Sequence, residues 1–435
     1  MSALDALSGG AQRRLGVHVT SAALARIRRG NPWVFADSIR RVTGGGGGDG
    51  GDGGDGTPGV AGDLAVVFDG RRRFAAIGLW DPTSPIRIRV LHRGDPVTID
   101  ETWWRTSIDA ALDRRHDLLD DRSTTACRLI HGENDGLGGL VIDRYGSVAV
   151  VKVYSEAWFA HLPTVVPAVI DALADRAVQI DTVVLRHARR VSLPEVLRTH
   201  TVAGHSDAVL LVGRAPDGPV TYRERGLVLL ADVVAGNKTG AFLDQRDNRA
   251  LVRSMAEGAR VLDVFANTGG FSVSAAVGGA VSVHLVDQSA PALDTARSNL
   301  ALNRVTTQIR TTVGDAFEVL GELAAEGARH ELVIIDPPAF ARSAAQRPGA
   351  ERAYRRLVRA GLDVLERGGV LVQASCSNRI GAVDFGDLVM DTARRHVATR
   401  RLGEVIEIRR TGHPVDHPIG FDGGEYLKAV FVQLR

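Results

Sequence analysis

Residues 260–272 read RVLDVFANTGGFS: a short apolar run, then a pair of glycines, then the start of a helical pattern. Beyond this stretch, strand-like apolar runs alternate with helical patterns as far as residue 374. Several of the runs, such as residues 332–335, are apolar at every position, as strands of a parallel sheet covered by helices on both faces must be. The sequence therefore predicts a doubly wound α/β domain.

The turn after the first strand of this domain suits a cofactor. Gly269 and Gly270 would allow a ligand to approach the backbone closely, and the helix that follows offers N–H donors. Alternatively, the two glycines only form the strand-to-helix turn that is common in α/β domains and bind no ligand. The turn lacks the G-x-G-x-x-G pattern that dehydrogenases use for a pyrophosphate. A cofactor without phosphates, such as S-adenosylmethionine, suits it better, because carboxylates for its cationic and hydroxyl groups lie in the first strand (Asp263), at the end of the second (Asp287) and after the third (Asp315).

Chemistry-bearing residues follow the fourth and fifth strands. Asp336 begins a rigid Asp-Pro-Pro turn that would direct it and Phe340 into the cleft at the carboxyl ends of the strands. There Phe340 could stack on a flat base. Alternatively, Asp336 is a buried capping residue and Phe340 packs in the core. Cys376 lies among short polar residues whose donors could lower its pKa for nucleophilic attack. Alternatively, Cys376 is only a small buried residue at a strand end. We interpret Cys127 in this second way.

Length and composition restrict the class of protein. The chain has 435 residues, 44% of them hydrophobic and 24% charged, which suits a globular protein of about three domains. It contains neither a long apolar span nor a secretion signal, so the prediction is a cytoplasmic protein. Two cysteines exclude a disulfide framework and a cysteine-rich zinc site. His413 and His417 lack the spacing of a metal pair, so no metal is predicted.

The charge is concentrated near the start of the chain, although the whole chain carries only +2. Residues 1–43 contain seven arginines and two acids, and residues 71–93 contain six arginines and one acid. Arginines commonly decorate a solvated surface. Taken together, and within one small domain, these arginines favour a polyanionic partner.

A tract of glycine and aspartate at residues 44–56 interrupts this basic region. Strand-like runs flank it on both sides, so we interpret it as a flexible insertion inside a hairpin of a small all-β domain. A connecting helix and an α+β pattern follow, up to about residue 235. Within that pattern, residues 131–139 (HGENDGLGG) are interpreted as a domain-joining turn.

Seven motifs along the chain resemble, in the same order, those of the RlmI-type methyltransferases, which use S-adenosylmethionine to form 5-methylcytosine in large-subunit ribosomal RNA. The motifs are GNPWVF from Gly30, DPTSPI from Asp81, HGENDGLGGLVIDRYG from His131, KTGAFLDQR from Lys238, DVFANTGGF from Asp263, DPPAF from Asp336 and SCS from Ser375. The resemblance implies a PUA-like RNA-binding domain over residues 1–97 and a central α+β domain over residues 98–235. It also implies a Rossmann-like methyltransferase domain over residues 236–435, with a mostly parallel sheet and an antiparallel final strand.

The resemblance also implies roles for individual residues. Cys376 and Asp336 would carry the chemistry. The S-adenosylmethionine site would be lined by Phe242, Gln245, Asp263, Phe265, Thr268, Gly269, Asp287 and Asp315. Apart from the resemblance, the RNA-contacting residues that we predict are Phe340, after the fourth strand, and Arg28, Arg29 and Trp33 in the basic first domain. Neither DNA nor a membrane is an expected partner, and the sequence leaves the number of subunits open, with a homodimer as one option.

Two alternatives stay open at this point. A related group of enzymes has similar scaffolding but methylates N7 of guanine, and a tRNA base is a further target to consider. Such an N7 reaction needs no covalent cysteine, so Cys376 favours cytosine. The second alternative is a ribosome assembly factor that binds RNA and only holds the cofactor.

Overall fold

The computed structural model describes residues 2–7, 13–44, 59–341 and 343–435. The chain folds into two compact units. The first consists of Met1–Tyr222, Ala231–Phe242 and Val415–Gly424, and the second of Arg223–Leu230, Leu243–Pro414 and Glu425–Arg435. The predicted domain boundaries near residues 97 and 235 stay predictions. In the described part of the chain, no helix is long and apolar enough to span a membrane.

The first unit begins with a region of six strands and two short helices. Its elements are α1 (Ala3–Leu7), β1 (Arg14–Val19), α2 (Ser21–Arg28), β2 (Trp33–Phe35), β3 (Ile39–Thr43), β4 (Leu64–Phe68), β5 (Phe74–Trp80) and β6 (Ile86–Arg93). The six strands form one sheet in the order β2-β6-β5-β4-β1-β3, in which only β1 and β4 pair in parallel. Alternate strand residues such as Val17, Val67 and Ile88 are fully buried in its core, as a half-buried sheet requires.

This topology corrects the interpretation of the glycine tract. The tract connects β3 to β4, and these two strands do not pair with each other because β1 lies between them. It is therefore not the loop of a hairpin. Short-range patterns cannot show which of several strands lies between two neighbours along the chain. Of residues 44–56, only Gly44 is among the described residues.

A second sheet follows in the first unit. Its elements are α3 (Glu101–Asp113), α4 (His116–Asp120), β7 (Ala126–His131), β8 (Leu140–Tyr145), β9 (Val148–Val153), α5 (Leu162–Ala174), β10 (Thr182–His187), β11 (Thr201–Val202) and β12 (His205–Val212). The sheet order is β11-β12-β10-β9-β8-β7, and α5 connects the parallel pair β9 and β10. Trp104 of α3 and Trp158 pack together in its core, with ring centroids 5.7 Å apart. A two-stranded ribbon of β13 (Val220–Glu224) and β14 (Leu227–Ala231) comes next along the chain, and most of it belongs to the second unit.

The second unit confirms the predicted α/β alternation. Its elements are α6 (Arg246–Met255), β15 (Arg260–Val264), α7 (Gly270–Val277), β16 (Ser282–Asp287), α8 (Ala290–Leu302), β17 (Gln308–Val313), α9 (Ala316–Ala325), β18 (His330–Ile335), α10 (Arg347–Asp363), β19 (Leu365–Ser375), α11 (Ala382–Arg400), β20 (Val405–Thr411) and β21 (Lys428–Leu434). The sheet order is β17-β16-β15-β18-β19-β21-β20. The first five strands are parallel, and β21 runs antiparallel to β19. The predicted fold class is therefore confirmed.

The strand order reverses between β15 and β18, which is where ligands bind in open α/β sheets, outside the carboxyl ends of the strands. Val264 pairs with Ile335 at that point, and the backbone N–H of Asp336 donates to the carbonyl of Val264 (3.3 Å). The buried run 332–335 holds β18 in the centre of the sheet, since none of its four side chains is more than 1% exposed. The first residues beyond this run therefore have a fixed position.

Candidate active site

Most of the predicted cofactor and catalytic residues lie at one edge of the seven-stranded sheet. Each of the five parallel strands contributes to that edge, at or directly after its carboxyl end. The contributors are Asp263, Phe265, Thr268 and Gly269 with β15, Asp287 with β16, Asp315 after β17, Asp336 after β18 and Cys376 after β19.

The loop after β15 has a constrained backbone. Phe265 (φ 65°), Asn267 (φ 46°) and Gly269 (φ 75°) all adopt left-handed conformations. Side chains other than glycine rarely adopt them, and such residues cluster at functional sites. A Cβ atom at Gly269 would lie 2.7 Å from the Cβ of Ala296, so only glycine fits there. Asn299 holds the loop from α8 by donating from Nδ2 to the carbonyl of Thr268 (2.8 Å).

Asp263 is a fully buried carboxylate beneath this loop. Its Oδ2 accepts from the hydroxyl of Ser272 (2.6 Å), whereas its Oδ1 is buried without a hydrogen-bond partner among the described residues. Burial raises the pKa of Asp263 to about 6, and the negative charge of Asp287 adds to the rise. A cationic or hydrogen-donating ligand would satisfy this oxygen and stabilise its charge.

Two further carboxylates are oriented by the backbone. Asp287 accepts from the N–H groups of Asn267 and Ser289, each at 2.8 Å. Asp315 caps α9 by accepting from the N–H of Phe317 (2.9 Å), and its second oxygen accepts from Gln288 Nε2 (3.0 Å). Fixed carboxylates beside a glycine turn fit the hydroxyl and amino groups of S-adenosylmethionine. The residues present therefore fit that cofactor.

The other two predicted cofactor residues lie before α6. Phe242 belongs to the first unit, where the Nζ of Lys238 lies 4.3 Å from the centroid of its ring. Gln245 belongs to the second unit and is buried, and its Oε1 accepts from Asn248 Nδ2 (2.6 Å). Their contacts with a cofactor stay predictions.

The two predicted catalytic residues are carried by adjacent loops. Asp336 is half-buried at the end of β18, and Cys376 is half-buried at the end of β19. The Sγ of Cys376 lies 3.9 Å from the carbonyl oxygen of Pro337, the residue that follows Asp336. Phe340, on the same loop, is half-buried, and its ring packs edge-to-face on Tyr354 at a centroid distance of 5.1 Å.

Buried polar groups support the turn formed by residues 375–377. Tyr354 of α10 shares a hydrogen bond between its Oη and the Oγ of Ser375 (2.8 Å). The hydroxyl of Ser377 donates to the carbonyl of Ala341 (3.3 Å), and the Nζ of Lys428 donates to the carbonyl of Ser377. Sequence reasoning missed Tyr354 and Lys428. A tyrosine in an arginine-rich helix and a lysine at the start of an apolar run were the available signals, but their partners depend on long-range packing and strand register.

The histidines weighed as metal ligands have other roles. His413 accepts through Nε2 from the N–H groups of Tyr426 and Leu427, each at 2.9 Å, and so shapes its own loop. His417 is buried, with its ring 5.1 Å from that of His131. Among the described residues, no group of three or more His, Cys, Asp or Glu could hold a metal ion.

The predicted RNA-contacting residues outside the second unit lie around α2 and β2. Arg29 is exposed, and the exposed Arg28 forms an ion pair with the buried Asp69 (3.4 Å). Trp33 donates from Nε1 to Glu133 Oε1 (2.9 Å), and its ring packs edge-to-face on Phe421 at 5.2 Å. A cavity of about 200 Å³ opens beside them, lined by Arg26, Arg29, Gly30, Asn31, Phe421 and Asp422. Sequence reasoning missed Phe421, which is distant along the chain.

Comparison with known proteins agrees with this fold and site. The S-adenosylmethionine-dependent methyltransferase family matches residues 168–423, and a PUA-like domain matches residues 17–93. A S-adenosylmethionine-dependent methyltransferase from Streptococcus mutans is similar in structure over 96% of this chain and 100% of its own, with a TM-score of 0.73 and 19% identity. A methyltransferase solved in complex with SAH is similar over 97% of this chain and 100% of its own, with a TM-score of 0.74 and 19% identity. The fold and site thus define a methyltransferase that uses S-adenosylmethionine.

Closer relatives narrow the family. A protein of Deinococcus radiodurans named ribosomal RNA large subunit methyltransferase is 43% identical over 97% of this chain and 98% of its own length. Ribosomal RNA large subunit methyltransferase I of Shewanella frigidimarina is 33% identical over 94% of this chain and 96% of its own. The chain belongs to the family of S-adenosylmethionine-dependent ribosomal RNA large-subunit methyltransferases.

Replacing Asp263 with asparagine should stabilise the cofactor-free protein while weakening S-adenosylmethionine binding. Because burial raises the pKa of Asp263 to about 6 from 3.8, its stabilising contribution is complete below pH 4 and is lost as the pH rises through 6. Asparagine avoids this loss, so we expect a gain of about 3 kcal/mol at pH 8 and little change at pH 4. Thermal unfolding and calorimetric titration with S-adenosylmethionine measure both effects.

The matched control is Asp294→Asn, because Asp294 is an exposed aspartate of α8 whose side chain is 71% accessible. We expect neither its stability nor its cofactor affinity to change. Equal stability of Asp263→Asn and the unaltered protein at pH 8 would contradict the prediction, as would unchanged cofactor affinity.

Proposed function

We propose that the protein transfers a methyl group from S-adenosylmethionine to C5 of a cytosine in large-subunit ribosomal RNA, through a covalent bond from Cys376. The observation that carries this proposal is the half-buried thiol of Cys376 beside the loop that presents Asp336, with Sγ 3.9 Å from the carbonyl of Pro337. Methylation of guanine N7 needs no thiol at this position. The relatives named for the large ribosomal subunit support the RNA target.

The reaction requires the thiol because C5 of cytosine is a weak nucleophile and must first be activated. When the thiolate of Cys376 adds to C6, the C5–C6 π electrons move to C5, which can then attack an electrophilic carbon. Bound S-adenosylmethionine supplies that carbon as its sulfonium methyl group. A base then removes the C5 proton, the C5–C6 double bond returns, and the thiolate leaves.

Asp336 is suited to the other side of the base. With a proton on one of its oxygens, the carboxyl group of Asp336 would donate to N3 of cytosine and accept from the N4 amino group, and transfer of that proton to N3 would neutralise the negative charge that thiolate addition places on the ring. Phe340, four residues further on, would stack on the base, a contact worth about 1 to 3 kcal/mol. The target nucleotide must leave its helical stack to reach this edge of the sheet, so we propose naked or partly assembled RNA in the cytoplasm as the substrate.

The arginines around α2 would bind the RNA backbone. Replacing the exposed Arg29 with alanine should weaken binding of a ribosomal RNA fragment, because one phosphate contact is lost. The slope of the logarithm of the binding constant against the logarithm of the salt concentration should become shallower by about one. Fluorescence anisotropy between about 50 and 200 mM salt measures this slope. The matched control is Arg214→Ala, since Arg214 is an exposed arginine of the same unit whose side chain is 86% accessible. An unchanged slope for Arg29→Ala would remove Arg29 from the RNA interface.

The test of the function is the product. Ribosomal RNA is incubated with the protein and methyl-labelled S-adenosylmethionine, and its nucleosides are analysed by mass spectrometry. We expect the label in 5-methylcytidine from large-subunit RNA. Label in 7-methylguanosine, or label in transfer RNA alone, would replace this proposal with the corresponding alternative.

A further inference from the structure

Lys428 is a buried lysine at the start of β21. Lys428 is only 2% exposed. In the antiparallel pairing of β19 and β21 it lies opposite Ser375, the residue before Cys376. Removing an ammonium group from water is costly unless other groups compensate it. A lysine in this position therefore needs a structural or chemical reason.

The contacts of Lys428 are unusual for a buried cation. Its Nζ donates to the carbonyl oxygen of Ser377 and to that of Tyr426 (3.1 Å). Both partners are neutral backbone groups, and none of the ion pairs among the described residues includes Lys428. The ammonium is therefore fixed at the carbonyl of Ser377, the residue that follows Cys376.

The charged and titratable groups around this turn come from four elements. Burial lowers the pKa of Lys428 to about 8, while Glu425 and Cys376 oppose that shift through their charges. On α10, burial raises the pKa of Tyr354, and the charges of Cys376 and Asp336 add to the rise. At neutral pH, Lys428 is thus a cation whose charge acts on Cys376 and Glu425, whereas Tyr354 stays neutral.

We propose that Lys428 is a positioning residue for Cys376: it fixes the turn of residues 375–377 by its hydrogen bonds and favours the thiolate by its charge. The proposal rests on the role of Cys376 as nucleophile. An adjacent cation stabilises a thiolate, and the effect is strong where water is excluded. The proton of the thiol leaves to solvent, and at neutral pH Lys428 keeps its own proton.

The test compares two substitutions in the full-length chain. Lys428→Gln keeps a hydrogen-bond donor for the two carbonyls but removes the charge, whereas Lys428→Arg keeps both. The rate at which iodoacetamide alkylates Cys376 is measured by peptide mass spectrometry between about pH 6 and 10, the range in which free cysteine titrates. Cys127, which is 2% exposed, is the internal control, since it should react only after unfolding.

We expect the midpoint of the alkylation profile to rise by about 1 to 3 pH units in Lys428→Gln, as the loss of a neighbouring opposite charge should cause, and to stay near that of the unaltered protein in Lys428→Arg. An unchanged midpoint in Lys428→Gln would overturn the proposal. Should that variant not fold, Lys428→Met removes the charge from a side chain of similar length and gives the same comparison.

Alkylation does not depend on the RNA product, so the two proposals can fail separately. A 7-methylguanosine product with a shifted alkylation midpoint would overturn the cytosine proposal and leave the link between Lys428 and the thiol standing. A 5-methylcytidine product with an unshifted midpoint would do the reverse.

Discussion

Replacing Cys376 with alanine is expected to abolish the formation of 5-methylcytidine, lowering kcat by about 10⁴-fold or more, as loss of the nucleophile does in other covalent enzymes. Without the thiolate, C5 of cytosine has no added electron density with which to attack a methyl group. S-adenosylmethionine affinity should not change, because the predicted cofactor residues lie with β15, β16 and β17 or before α6, and not with the turn after β19. Methyl transfer from labelled cofactor and calorimetric titration measure the two quantities.

A substrate analogue provides an independent readout of the same bond. In RNA that contains 5-fluorocytidine, fluorine replaces the C5 proton that the base must remove, so the adduct through the cysteine accumulates. We expect a cross-linked protein–RNA complex with the unaltered chain and none with Cys376→Ala. Cys127→Ala is the matched control, because Cys127 is buried in β7 and should not take part.

The alternatives predict different outcomes. A guanine N7 methyltransferase would lose little activity in Cys376→Ala and form no cross-link. An assembly factor without catalysis would transfer no label from the outset, and Asp336→Ala would leave its function unchanged. Retained 5-methylcytidine in Cys376→Ala would contradict the covalent mechanism directly.

The fold of the second unit could be predicted because the sequence patterns that determine it are local. Buried strands such as 332–335 are apolar on both faces, glycines mark the turn into α7, and parallel strands bring their carboxyl ends to one edge. Those rules are sufficient to place Asp287, Asp336 and Cys376 along a common edge. The sequence-based list of cofactor and catalytic residues came from this placement and from the family resemblance.

The features that sequence reasoning missed depend on long-range pairing. The glycine tract lies between β3 and β4, and only the sheet order shows that β1 separates those strands. Lys428 reaches the turn of Cys376 because β21 pairs with β19 in one particular register, which no local pattern encodes. Phe421 packs on Trp33 from a segment that is almost four hundred residues away along the chain.

The motif HGENDGLGG contains Asp135, which forms a buried ion pair with Arg115. A turn that only joins two domains does not require such a pair. Asp135 and Arg115 have fully buried side chains, and the two Arg115 Nη groups donate to the Asp135 carboxylate at 2.6 and 2.9 Å. Asp135 also accepts from the N–H of His131 (2.6 Å), and Arg115 also donates to the carbonyl of Asp416 (3.0 Å). The carboxylate therefore holds the loop after β7, and its arginine partner reaches the segment 415–424 of the same unit.

Replacing Asp135 with alanine should destabilise the first unit by about 3 to 5 kcal/mol, because the Arg115 guanidinium stays buried without its carboxylate. Urea unfolding followed by tryptophan fluorescence measures this unit selectively, since all five tryptophans lie within residues 33–158. The matched control is Asp217→Ala, which breaks an exposed pair with Arg214 whose side chains are 87% and 86% accessible. We expect a change of at most about 1 kcal/mol there.

A double variant separates the two contributions of the pair. Replacing Arg115 with methionine and Asp135 with leucine removes both buried charges, so most of the lost stability should return, because the cost comes from the unpaired charge and not from the absence of the ion pair. A double variant as unstable as Asp135→Ala would show instead that the hydrogen bonds of these two side chains to the backbone hold the loop. In that case Arg115 would act mainly as a donor to the carbonyls of Ala111, Arg128 and Asp416, and the charge of Asp135 would be secondary.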